Sequence, residues 1–112
     1  MKLDINGTHL HVVQQGQGPV AVVFLHYYGG SSRTWSAVMG ALSPHYQTIA
    51  MDHRGWGESD KPETGYQIAS LAADAQAVIA QLGLQRYILV GHSMGGKVAQ
   101  LITAHQPQGL KG

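Results

Sequence analysis

The stretch Tyr87-Ile88-Leu89-Val90-Gly91-His92-Ser93-Met94-Gly95 decides the fold of this chain. Its apolar first part predicts a strand, and residues 97–102, which follow the glycines, have the character of a helix. The pattern G-x-S-x-G between a strand and a helix is typical of a nucleophile elbow. Such a turn is so tight that the residues two before and two after the serine should lack a Cβ atom, and both are glycine. We therefore predict a strained backbone at Ser93.

The composition narrows the classes of function. A chain of 112 residues with 44% hydrophobic and 12% charged residues is expected to form one globular domain over residues 1–112. Its net charge of +1, without a Lys/Arg cluster, argues against nucleic acid or an anionic membrane as partner. The absence of cysteine excludes disulfides, thiol catalysis and cysteine metal sites. Residues 1–7 lack the apolar core of a signal peptide, so we expect a cytoplasmic protein.

Strands and helices are predicted to alternate along the rest of the chain. Asn6-Gly7, between two strand-like runs, is the strongest short signal for a β-hairpin. The predicted strands lie at 2–5, 8–14, 20–25, 46–51 and 87–90, and the predicted helices at 34–42, 68–82 and 95–105. This order predicts an α/β fold with an N-terminal β-hairpin and a mostly parallel sheet that has helices on both faces.

Two further motifs accompany the serine turn. Leu25-His26-Tyr27-Tyr28-Gly29-Gly30-Ser31 follows the third strand, and Asp52-His53-Arg54-Gly55-Trp56-Gly57-Glu58-Ser59 follows the fourth. With these, the chain resembles the α/β-hydrolase fold family, in particular its serine esterases and cofactor-free haloperoxidases. The first motif looks like the family's His-Gly loop, and the second like its D-x-R-G-x-G-x-S loop. The resemblance implies hydrolysis of an ester or related acyl bond in a small molecule, with no cofactor and no metal.

The resemblance also implies roles for individual residues. Ser93 is the candidate nucleophile, and the backbone N–H groups of Met94 and Tyr28 are the candidate oxyanion donors. Met94 lies at a helix N-terminus, where N–H groups are free and the helix dipole favours negative charge. Tyr28 follows the family's His-Gly pair, although Tyr27 stands where glycine is usual.

Three side chains are candidates for substrate binding: Tyr27, His92 and Trp56. The alternative for each is simple packing. His92 adjoins the nucleophile along the chain, so the sharp turn should direct its ring away from the Ser93 hydroxyl. His26 resembles a structural histidine of the oxyanion loop, and we expect neither histidine to act as the general base.

The motif that begins at Asp52 has two interpretations. Asp52 would serve as the acid of a catalytic triad in the first. In the second, which we favour, the loop is tied by an Arg–carboxylate contact through Arg54 and by side-chain-to-backbone hydrogen bonds that include Ser59. The family's acid usually follows a later strand.

The base and the acid of a triad are not found after the serine. In this family the order is Ser, then Asp or Glu, then His. The 19 residues after Ser93 contain no Asp or Glu and one histidine, His105, which a helix would place about 18 Å away. We therefore expect the N-terminal portion of a hydrolase, inactive or weakly active alone. A non-catalytic ligand-binding relative and a non-functional fragment are the alternatives.

The last predicted strand, at residues 87–90, would then form an unpaired edge of the sheet. Open edges invite pairing with other chains. We accordingly expect self-association or binding of a complementing C-terminal segment.

Overall fold

The chain begins with the predicted hairpin. The computed structural model describes residues 1–112, with β1 at Lys2–Ile5 and β2 at Thr8–Gln15. The turn residues Asn6 and Gly7 have φ angles of 49° and 83°. Two consecutive positive φ angles match the right-handed twist of paired strands, which is why Asn-Gly is favoured at this place.

Three strands and three helices follow the hairpin, close to their predicted bounds. They are β3 (Ala21–Leu25), α1 (Ser36–Leu42), β4 (Gln47–Met51), α2 (Ile68–Gln81), β5 (Tyr87–Gly91) and α3 (Met94–Ala104). A short 3-10 turn, Ser32–Trp35, precedes α1, where the sequence predicted the start of the helix. None of the helices combines the length and the apolar character needed to cross a membrane.

The five strands form one mixed sheet in the order β1-β2-β4-β3-β5. The strands β4, β3 and β5 run parallel, whereas β2 is antiparallel to both β1 and β4. Val23 of β3, the middle strand of the three parallel ones, lies opposite Ile49 on one side and Leu89 on the other. All five residues of β3 are buried, as expected of a strand covered on both faces.

Helices cover both faces of the sheet, as predicted. On one face α2 and α3 form the larger core, in which Val78 and Val98 pack with the strands. On the other face Met39 of α1 packs against a smaller cluster that includes Phe24. Val38 of the same helix lies outside this cluster and is 44% exposed.

The outer edge of β5 is partly paired, and the prediction of an unpaired edge is wrong for that part. The Tyr87 N–H donates to the Gly109 carbonyl at 3.0 Å, and the Leu89 N–H donates to the Gly112 carbonyl at 2.9 Å. After α3 the backbone reverses through Gly109, whose φ angle is 95°. This reversal lays residues 109–112 alongside β5, with a parallel bridge between Tyr87 and Leu110.

Candidate active site

Ser93 lies in a strained turn between β5, which ends at Gly91, and α3, which begins at Met94. Its backbone angles are φ 56° and ψ −113°. A positive φ is uncommon for a residue with a side chain and persists only where the surrounding structure enforces it. The residue is exposed. The strained backbone predicted at this position is therefore present.

The two glycines of the turn are required by close backbone contacts. A Cβ atom on Gly91 would meet the carbonyl group of Gly95. A Cβ atom on Gly95 would meet the Leu25 carbonyl group and would lie 2.7 Å from the His26 carbonyl oxygen. Because these neighbours are backbone atoms, they cannot swing aside as a side chain would. The first turn of α3 is thus held directly against the end of β3.

The two backbone N–H groups predicted to bind an oxyanion have no hydrogen-bond partner within the chain. These are the N–H of Met94, in the first turn of α3, and the N–H of Tyr28, in the loop after β3. The loop is held by the Tyr27 carbonyl, which accepts a hydrogen bond from the Gly30 N–H at 2.8 Å. Both donors follow the carboxyl ends of neighbouring parallel strands, where ligand sites of open α/β sheets lie.

His26 is fully buried, and both of its ring nitrogens are engaged. Nδ1 lies 2.7 Å from the Tyr27 carbonyl oxygen, and Nε2 accepts a hydrogen bond from the His53 backbone N–H at 2.9 Å. These partners require a neutral ring with its proton on Nδ1. Burial lowers the pKa of His26 and favours the same neutral form. His26 therefore has a structural role and no free nitrogen for Ser93.

His53 is the second fully buried histidine, and sequence reasoning assigned it no role. Its ring centroid lies 4.6 Å from that of His26, and neither of its ring nitrogens has a hydrogen-bond partner. Burial, reinforced by the neighbouring His26, lowers the pKa of His53 to about 3. Its position directly after β4, at the carboxyl end of a parallel strand, was the available sequence signal.

Asp52 ties together two loops. Its Oδ1 accepts a hydrogen bond from the Ser32 N–H at 2.6 Å, and its Oδ2 accepts one from the Glu58 N–H at 2.9 Å. Its carbonyl oxygen accepts a hydrogen bond from the Ser59 hydroxyl at 2.5 Å. Burial alone would raise the pKa of Asp52, but the N–H groups of Glu58 and Ser32 outweigh it, and the pKa is lowered. These contacts support the structural interpretation of the motif.

The predicted Arg–carboxylate contact exists, but its partner lies outside the loop. Arg54 donates through Nε and Nη2 to the two carboxylate oxygens of Asp74 in α2, at 2.7 and 2.8 Å. Asp52 is not the partner because backbone N–H groups already occupy its oxygens. Asp74 was missed, although an acidic residue within the apolar face of a helix is a recognisable signal for a buried ion pair.

The aromatic residues at this edge of the sheet form two groups. The Tyr27 ring lies edge-on to His92 at 5.3 Å between centroids, and the Tyr28 ring lies edge-on to Trp56 at 5.2 Å. Tyr66, which the sequence did not single out, lies 6.1 Å from Trp56. The structure thus places each candidate wall residue beside another aromatic ring.

A general base is not in contact with Ser93. No side chain forms a hydrogen bond with its hydroxyl, and the His92 ring packs against Tyr27 instead. His105 caps the far end of α3, where its Nδ1 lies 3.4 Å from Gln76. The arrangement therefore contains a strained serine and free N–H donors, without an imidazole to accept the serine proton.

The fold and the serine turn together define a class of protein. Parallel strands, a strained serine turn and a helix that begins directly after it are the architecture of the α/β hydrolases. The model of the alpha/beta hydrolase fold family matches residues 20–112, and the chain belongs to this family.

Individual relatives carry different activities. The chain is 39% identical, over 95% of its length, to a 2-(acetamidomethylene)succinate hydrolase of Mesorhizobium japonicum. It superimposes with a TM-score of 0.92 and 34% identity on an epoxide hydrolase of Vigna radiata, with 99% of the chain covered. An N-acyl homoserine lactone degrading enzyme matches with the same TM-score and identity, over 98% of the chain. The chain spans only 38%, 37% and 42% of these three proteins, respectively.

Proposed function

We propose that Ser93 is the nucleophile of a hydrolase that acts on ester or related acyl bonds of small molecules. The observation that carries this proposal is the positive φ angle of 56° at an exposed serine between two glycines that closely packed backbone requires. Strain of this kind gathers at functional sites, and the turn presents the serine hydroxyl to solvent.

The oxyanion would be held by backbone N–H groups. The free N–H groups of Met94 and Tyr28 lie at the ends of two adjacent parallel strands, and the dipole of α3 adds positive potential near Met94. Each such donor typically contributes about 10²–10³ in kcat. Because only the backbone is used, the side chains of Tyr27, Tyr28, His92 and Trp56 remain available as walls for the substrate.

Acyl transfer is favoured over epoxide opening by the chemistry of serine. Attack of a hydroxyl on an ester expels the alcohol and produces an acyl-serine, and attack of water on its carbonyl carbon then releases the acid and restores the serine. Attack of the same hydroxyl on an epoxide would leave an ether, which offers no carbonyl for release. The resemblance to an epoxide hydrolase therefore supports the fold of this chain, and Ser93 points to the ester-type reaction.

The proton shuttle would come from residues other than those described. The relatives are more than twice as long as this chain, and no histidine of the chain forms a hydrogen bond with the Ser93 hydroxyl. Loss of the base histidine alone costs about 10⁶ in kcat in a serine hydrolase. We accordingly expect little turnover from residues 1–112 alone, without any need for a metal or cofactor.

Covalent labelling tests this proposal. A fluorophosphonate should attach to Ser93 as located by mass spectrometry, and Ser93→Ala should abolish the labelling. Ser36→Ala, at another exposed serine, should leave it unchanged. Because no base contacts the hydroxyl, the labelling is expected to be slow, and its selectivity for Ser93 reports on the serine turn and the oxyanion donors. Equal modification of several serines would contradict this selectivity and favour the ligand-binding alternative. Hydrolysis of a p-nitrophenyl ester at ordinary esterase rates would contradict the inference that residues 1–112 provide no general base for Ser93.

A further inference from the structure

A pair of buried histidines, in edge-to-face contact, joins the ends of two parallel strands. The rings of His26, after β3, and His53, after β4, are both fully buried and meet at an interplanar angle of 61°. One neutral imidazole makes the connection, because His26 contacts the Tyr27 carbonyl through Nδ1 and receives the His53 N–H at Nε2. The loop that carries the Tyr28 N–H is therefore attached to the β4 end at two points, through the His26 ring and, further along the loop, through the hydrogen bond from the Ser32 N–H to Asp52.

The second ring of the pair has no stabilising polar contact. Both ring nitrogens of His53 are buried without a partner, although a neutral imidazole always carries one N–H. An unpaired buried polar group is unfavourable, and a charged one is far more so. Protonation of either ring is therefore unfavourable as long as both rings stay buried, because His53 offers the added charge no stabilising contact.

We propose that His26 and His53 form an acid-sensitive latch, which attaches the Tyr27–Tyr28 loop to the end of β4. The loop is held while both rings are neutral and is released when either ring takes up a proton. The part of the proposal that concerns anion binding by the Tyr28 N–H rests on the proposed function. The latch itself depends only on the contacts of the two rings.

Protonation breaks the latch at a defined atom. A proton on Nε2 of His26 removes the lone pair that accepts the His53 N–H, and two donors then face each other across 2.9 Å. Asp52 is the carboxylate that favours the charged form of both rings, but the N–H groups of Ser32 and Glu58 already engage its oxygens. Trp56, whose ring lies 6.1 Å from His26, carries no charge.

The direction of the pH effect follows from the lowered pKa values of both rings. In the released state the histidines titrate near their ordinary value of 6.5, whereas in the held state burial lowers the pKa, to about 3 for His53. The released state therefore binds more protons between these values, and the latch weakens as the pH falls below 6.5. For each proton taken up, the released population rises by up to about tenfold per pH unit.

Amide hydrogen exchange measures the latch directly. Two protected amides report on it: the Gly30 N–H, bonded to the Tyr27 carbonyl, and the N–H of residue 53, bonded to His26. Their exchange, corrected for the intrinsic rate, should accelerate about tenfold or more between pH 6.5 and 5, while Val23 in β3 remains protected. Protection that does not change with pH would overturn the proposal.

Two variants separate the latch from general acid sensitivity. His53→Leu removes one titrating ring and keeps the backbone N–H, so the pH dependence at Gly30 should become shallower. His45→Gln, at an exposed histidine, should leave it unchanged. If His53→Leu does not fold, an NMR titration of the unmodified chain tests the latch instead. Ring signals of His53 that titrate near pH 6.5 while the Tyr27–Tyr28 loop stays protected would overturn the proposal.

The latch and the hydrolase proposal fail in different ways. Acid-accelerated exchange in a chain whose exposed serines are all labelled equally by the fluorophosphonate would retain the latch and contradict the hydrolase. Selective labelling of Ser93 together with pH-independent exchange would retain the hydrolase and contradict the latch.

Discussion

Arg54 and Asp74 form a bidentate ion pair in which Nε and Nη2 of the guanidinium meet the two carboxylate oxygens at 2.7 and 2.8 Å. The Asp74 side chain is 1% exposed and also accepts a hydrogen bond from the Asn6 side-chain amide at 3.0 Å. One carboxylate of α2 thus connects the hairpin turn with the loop after β4. The position of that loop, which carries Trp56 to the candidate active site, is consequently fixed by α2 and the hairpin turn.

Removal of one member of this pair should strongly destabilise the chain. Asp74→Leu would leave the Arg54 charge largely buried without its partner, so we expect a loss of about 3–5 kcal/mol in the free energy of unfolding. Urea denaturation measures it. Lys2→Ala breaks the exposed ion pair between Lys2 and Asp60 and should cost less than about 1 kcal/mol. Similar losses in both variants would contradict a special role for the buried pair.

The glycine after the serine should not tolerate a methyl group. Gly95→Ala would press a Cβ atom into the backbone of Leu25 and His26, and overpacking of this kind costs about 1–3 kcal/mol. We expect lower stability and loss of fluorophosphonate labelling at Ser93. Gly40→Ala is the matched control, because open space surrounds that position in α1. This substitution should raise the free energy of unfolding by about 0.5–1 kcal/mol. An equally stable and reactive Gly95→Ala would refute the contact.

The Asp52 carboxylate should contribute stability that depends on pH. Its pKa is lowered in the folded chain, so its contribution is present above the unfolded value of about 3.9 and disappears as the pH falls through the folded value. Asp52→Asn replaces one acceptor with a donor and should cost about 1.5–3 kcal/mol at pH 7. The difference from the unmodified chain should shrink below about pH 4. Asp4→Asn, with a side chain 83% exposed, should show little effect at either pH.

The two buried histidines should respond in opposite ways to replacement by leucine at pH 7. His26→Leu removes two hydrogen bonds and leaves the Tyr27 carbonyl without its imidazole partner, which should cost about 1–3 kcal/mol. His53→Leu removes an unpaired polar group from the interior and should be neutral or stabilising. Thermal unfolding of the two variants and of the unmodified chain at pH 7 measures these differences in stability. A large loss for His53→Leu would indicate a polar contact at that ring.

The parts of the fold that depend on local pattern could be predicted from the sequence. The hairpin follows from Asn6-Gly7, because few residues other than these accept two positive φ angles in succession. The buried strand β3 follows from its continuous apolar run, and the helices on both faces follow from the alternation of elements. The serine turn is local at Gly91, whose close neighbour is the backbone of Gly95, whereas the close contact of Gly95 is with the backbone of Leu25 and His26 at the end of β3.

The contacts between distant segments could not be predicted in the same way. The pairing of β2 with β4, the partner of Arg54 and the return of residues 109–112 to β5 all depend on tertiary packing. Periodicity describes which face of an element is apolar, but it does not specify which polar group of another element that face will meet. For the same reason the contact between Tyr28 and Trp56, which lie in two separate loops, emerged only from the structure.

The strand order has a consequence for how this chain is made. β3 lies between β4 and β5, although it precedes both in the sequence. During synthesis its two hydrogen-bonding edges stay open until each later strand has left the ribosome, and Tyr87–Gly91 closes the second edge last. Until then the nascent chain displays an apolar strand that can pair with a neighbouring polypeptide. A chaperone that shields residues 21–25 should therefore raise the yield of folded chain, because sequence-distant pairing of strands is intrinsically slow.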